Sequence, residues 1–108
     1  MNVVDDPNAT ARLDAFFHKE DGSWALTKAG PLHAELDNEP SVATPWLYDY
    51  AGQPWKTQKA VRIVVDTIWK NAPDGIPGND DLGEMSSWYV WAALGMYPEI
   101  PGRAELLL

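Results

Sequence analysis

Cysteine is absent from the 108 residues, which excludes disulfides and any zinc site built on thiolates. Basic residues are scarce: eight Lys and Arg stand against sixteen Asp and Glu, for a net charge of −8. An acidic surface repels phosphate backbones, so nucleic acid is not an expected partner. The two histidines, His18 and His33, are far apart, and neither has a ligand partner at i+4. No apolar run approaches the ~20 residues of a membrane span. The opening stretch, MNVVDDPNATARLDAFF, has neither the basic n-region nor the apolar h-region of a secretory signal. Solenoid repeats, low-complexity tracts, a phosphate loop and a nucleophile elbow are missing too.

What is present is apolar, aromatic and acidic. Hydrophobic residues make up 45% and six are Trp, enough for the core of one domain or of part of a larger one. The chain closes on GRAELLL. Bare leucines at the end of a domain are unusual, so a piece cut from a longer protein is expected.

No segment alternates over strand length, and the periodicities are helical, so the fold class is read as all-α with three or four helices. Residues 9–18 place Leu13, Phe16 and Phe17 on one stripe. Residues 40–50 suit a helix with a kink or late start at Thr44-Pro45. Residues 55–71 are the clearest helix, with Val61, Val64, Val65, Ile68 and Ala72 on one face. The final helix spans 83–95, with Met85, Trp88, Tyr89 and Ala92 at helical spacing and Gly95 as its stop. Residues 23–38 read as irregular. The loops between these helices are busy, and functional groups concentrate on such loops.

Two loops carry the chemistry. In GNDDLGEMSSW, one aspartate suffices to cap a helix. Asp80, Asp81 and Asn79 together exceed that need and offer hard oxygens of the kind Ca²⁺ takes, although the EF-hand spacing is absent. In ELDNEPSVATPW, Glu39 either complements a helix dipole or serves as a general acid whose pKa is raised by partial burial. Asp37 and Asp49 read as solvated or capping residues. Two carboxylates facing each other across a cleft are the minimal apparatus for glycoside hydrolysis. Trp46, Tyr48, Trp55, Trp88, Tyr89 and Trp91 flank the loops and either stack on sugar rings or pack the core. Lys56, beside Trp55, is a candidate rim contact.

The stretches DNEPSVATPWLYDYAGQPWKTQ and GIPGNDDLGEMSSWYVWAALGMYPEIPG, in that order with a helix between them, resemble glycoside hydrolase family 92 over roughly residues 31–102. The resemblance implies a calcium-dependent, inverting exo-α-mannosidase acting mostly on α-1,2-linked mannose. It makes Glu39, in the Asn-Glu-Pro triplet, the general acid and Asp81 the general base. It also implies sugar contacts at Asn38 and Trp88, and Ca²⁺ ligands at Asn79 and Asp81. Where the family often carries a second aspartate two places before the base, this chain has Asn79. Where a histidine commonly follows the acid motif, it has Val42-Ala43-Thr44, so recognition of the leaving group is expected to differ. The family fold is a β-sandwich followed by an α/α toroid, and these residues match the toroid's closing helices. The expected partners are a mannose-containing oligosaccharide and the sandwich of the same protein. The expected location of the full-length protein is secreted, periplasmic or cell-surface. The piece alone is expected to be inactive. The alternative is a non-catalytic helical module for carbohydrate binding or for structure.

Overall fold

The computed structural model describes residues 7–100 and 102–108. The first six residues of the opening stretch, and Pro101 within the second motif, lie outside the described residues. The described residues are all-helical, with two isolated β-bridges and no strand. The elements are α1 (Pro7–Phe17), α2 (Glu39–Val42), a 3-10 turn (Thr44–Trp46), α3 (Leu47–Tyr50), α4 (Pro54–Ile68) and α5 (Glu84–Leu94). The molecule measures 43 × 38 × 21 Å. Its short axis is about two helix diameters, so the core is a single seam between two layers.

Proline sets the boundaries. α4 begins on Pro54, a position where a missing N–H is harmless. Pro45 acts oppositely. The expected 40–50 helix is broken into α2, the 3-10 turn and α3, because a proline ring clashes with the carbonyl four residues back. That carbonyl, Ser41 O, accepts the Thr44 hydroxyl instead at 2.5 Å.

α4 buries Thr57, Ala60, Val61 and Val64 on one stripe. It ends three residues sooner than its periodicity predicts. Trp69 leaves the helix in extended conformation (φ −85°, ψ 145°), and its ring stacks on Trp88 at 4.9 Å and 12°. Ala72, expected on the stripe, is exposed in a loop that Gly75 closes. A Cβ on Gly75 would lie 1.8 Å from the Lys70 carbonyl oxygen. α5 ends as predicted: Gly95 is left-handed at φ 77°, its N–H bonds Ala92 O, and Met96 N–H bonds Trp91 O. Along α5, Met85, Trp88 and Ala92 face the core, while Tyr89, Val90 and Leu94 are exposed.

The core gathers Phe17, Leu36, Val42, Trp46, Tyr48, Val64, Trp69, Met85 and Trp88. The irregular 23–38 segment joins it through backbone bonds, Ala25 N–H to Phe17 O at 2.7 Å and Leu36 N–H to Leu26 O at 2.7 Å. Asp14 of α1 receives the Tyr48 hydroxyl and Lys56 Nζ, both at 2.7 Å, which ties α1 to α3 and α4. Burial raises the Asp14 pKa, but the two hydrogen bonds and the Lys56 charge outweigh it and the net shift is downward. Lys56 is therefore a clamp within the fold.

Candidate active site

The acid loop is built by capping. Asn38 is extended (φ −142°, ψ 142°), and its Oδ1 accepts the Glu39 N–H at 3.2 Å. Its carbonyl receives the Ser41 N–H at 3.1 Å, and Ser41 Oγ receives the Glu35 N–H at 3.1 Å. A four-residue helix is thus anchored at its start, with Ser41 and Val42 buried beneath it. Glu39 sits at the first helical position, partly exposed. No hydrogen bond or ion pair among the described residues engages its carboxylate.

The two aspartates of the second loop divide the work. Asp80 caps α5: its carbonyl takes the Met85 N–H at 3.2 Å and its Oδ1 the Ser86 N–H at 2.8 Å. Asp81 is exposed and its carboxylate has no partner among the described residues. Its backbone is left-handed at φ 48°, followed by Leu82 at 61° and Gly83 at 91°. Non-glycine residues in that region cost on the order of 1 kcal/mol each, and such strain clusters at working sites. Capping thus accounts for the first aspartate and leaves the second free.

The fold brings these loops together. Gly78 (φ 61°) lies against the other loop so closely that a Cβ there would fall 2.2 Å from the Asp37 carbonyl oxygen. Asp37 stands two residues before Glu39, and Gly78 three before Asp81. Further along, Trp88 Nε1–H donates to Val42 O at 2.6 Å. Trp88 is 1% exposed. Sandwiched against Trp69, it presents no face to a sugar, which corrects its expected role in sugar contact. Asn38 is exposed at the lip of the acid loop.

Metal binding is not completed by these residues. Among the described residues, no group of three or more His, Cys, Asp or Glu side chains could hold an ion. Asn79 and Asp81 supply at most three side-chain oxygens, whereas Ca²⁺ takes six to eight.

A second acidic pair was not legible beforehand. Asp49, read as solvated or capping, has Oδ1 buried without a hydrogen-bond partner, as has Glu99 Oε2. Burial, then the Asp49 charge, pushes the Glu99 pKa up to about 7. Burial also raises Asp49, and Thr57 offsets part of that although its Oγ1 completes no hydrogen bond. Tyr97, beside the pair, is pushed up to about 12 by burial, Glu99 and Glu84. The signal missing from the sequence was contact: Asp49 and Glu99 lie on segments that only folding apposes.

A pH dependence follows. Between Glu99's ordinary value near 4.5 and about 7, the folded chain keeps a proton that the unfolded chain has released. Stability therefore falls as pH rises through that window, and the full penalty applies above it. Glu99→Gln should leave thermal stability unchanged near pH 4.5 and raise it by ~1–2 kcal/mol at pH 8, after allowance for solvent screening. Parallel pH profiles for the two proteins would refute the account.

The profile of the Glycosyl hydrolase family 92 catalytic domain matches residues 3–108. The chain belongs to glycoside hydrolase family 92. The match reaches well beyond the two motifs, into α1 and the closing leucines. A relative described as an uncharacterized secreted glycosidase, from Arthroderma benhamiae, is 38% identical over 68 residues, 63% of this chain and 9% of the relative. The match to this family 92 chain thus covers less than a tenth of that protein's length. No helix among its described residues is long and apolar enough to cross a membrane.

Proposed function

We propose that this chain supplies the acid and base of an inverting glycosidase that releases mannose from α-linked, mostly α-1,2-linked, mannosides. The single observation that carries the reading is the contact of Gly78 with Asp37, which apposes two loops that each present a carboxylate without a partner among the described residues. Glu39, protonated, gives its proton to the glycosidic oxygen as the bond breaks. Asp81, ionised, takes a proton from water attacking the anomeric carbon from the opposite face. Inversion needs roughly 6.5–9.5 Å between the two carboxyl groups, to leave room for that water. In this reading Asn38, exposed on the lip of the acid loop, donates its amide N–H to a sugar hydroxyl.

The proposed setting is a longer protein in which these helices close an α/α toroid against a β-sandwich, exported from the cell as the Arthroderma relative's name states of that protein. A Ca²⁺ shared by Asn79 and Asp81 would draw its other oxygens from elsewhere in that protein, and the acid–base step rests on Glu39 and Asp81 alone.

The test is hydrolysis of α-1,2-mannobiose by the full-length protein, followed by proton NMR in the first minutes. Inversion releases β-mannose first, and the 108-residue chain alone should release none. Early α-mannose, or cleavage of glucosides but not mannosides, would overturn the assignment.

A further inference from the structure

We propose that Trp88 and Gly78 are positioning residues that together fix the separation between the two carboxylates. The inference rests on the reading of Glu39 and Asp81 as acid and base. Asp37 and Val42 bracket Glu39 in the chain, and Gly78 and Trp88 bracket Asp81. The tertiary contacts join the brackets in matching order. Gly78 sits on the Asp37 carbonyl, and the Trp88 indole N–H bonds the Val42 carbonyl at 2.6 Å. Each carboxylate therefore rides on a segment held at both flanks to the segment that carries the other.

The Trp88 bond is suited to this work. A helix of four residues is unstable alone, and its terminal carbonyls lack helical partners. Val42 O is such a carbonyl, at the end of α2, about 4.5 Å of helical rise from Glu39. On its other side, Trp88 stands on α5, whose first turn is capped by Asp80 next to Asp81. Stacking on Trp69 fixes the indole plane. Packing alone does not call for this N–H: among the described residues, the buried indoles of Trp46 and Trp69 make no hydrogen bond. Of the three buried tryptophans, the one between the two loops is the one whose donor is used.

At Gly78 the requirement is steric. Any side chain would push the Asp37 carbonyl away, and φ 61° already disfavours one. A misplacement of about 1 Å at reacting groups lowers rates by up to ~10²-fold.

The test uses the full-length enzyme and a natural mannobiose. Trp88→Phe keeps most of the apolar volume and removes the donor. Its kcat should fall by about tenfold or more with KM within about twofold, because transition-state geometry changes and ground-state binding does not. The two limbs of its pH–rate profile should also move, since coupling between the carboxylates depends on their spacing. Trp46→Phe, an equal truncation of an indole with no hydrogen bond, should lower the melting temperature while leaving kcat and the pH profile unchanged. Gly78→Ala, at an exposed site that leaves the core intact, should reproduce the loss in kcat and carries the test if Trp88→Phe does not fold. Wild-type kcat and pH limbs in folded Trp88→Phe, or wild-type kcat in Gly78→Ala, would overturn the proposal. So would a Trp46→Phe loss as large as that of Trp88→Phe. A wild-type enzyme that cleaves no glycoside would instead remove the functional reading, and the proposal with it.

Discussion

Glu39→Gln in the full-length enzyme should lower kcat on α-1,2-mannobiose by about 10²–10⁴-fold, the usual contribution of a positioned acid or base. The amide keeps the shape of the side chain and cannot give up a proton. The loss should depend on the leaving group. An aryl mannoside with an acidic phenol departs without protonation, so most of the Glu39→Gln rate returns on that substrate. Asp81→Asn should be equally impaired on both, because attack by water still needs a base. This contrast assigns the two roles separately. A binding module would show near-wild-type affinity for sugar and no rate to lose. Equal losses on both substrates for Glu39→Gln would remove it as the acid, and leaving-group rescue of Asp81→Asn would exchange the roles.

Trp69→Ala should have the largest effect on stability, ~3–5 kcal/mol, the range for truncating a buried large aromatic. The ring is only 9% exposed and lies against Trp88 and Tyr89. Its removal opens a cavity beside the indole that links α5 to α2. Domains of this size have ~5–15 kcal/mol of total stability, so one substitution removes a large share of it. Thermal unfolding followed by far-ultraviolet circular dichroism, which reads the helices in both proteins, would show the loss. Trp69→Phe keeps an aromatic against Trp88 and should lose clearly less. A melting temperature within a few degrees of wild type for Trp69→Ala would show that the stack does not hold this seam together.

Much of the fold was legible because helices announce themselves locally. The stripe through Val61 and Val64 and the glycine stop at Gly95 are properties of neighbouring residues, and the structure repeats them. The errors fall where a distant partner overrides local preference. Trp69 and Ala72 fall within or beyond the expected end of α4, yet Trp69 leaves the helix in extended conformation with its ring stacked on Trp88. Trp88 reads from sequence as either a core residue or a sugar contact, and the fold buries it against Val42 and Trp69. Asp49 reads as a surface carboxylate because nothing in its neighbourhood reveals Glu99.

The sequence by itself determined the helical class, the stop at Gly95, the two acidic loops and, through their long motifs, the family. Tertiary structure alone decided that Gly78 meets Asp37 and that the Trp88 indole reaches the Val42 carbonyl. The reason is physical. Periodicity and capping act within a few residues along the chain, whereas a shared site depends on contacts between segments some forty residues apart, which only the packed core brings within bonding distance.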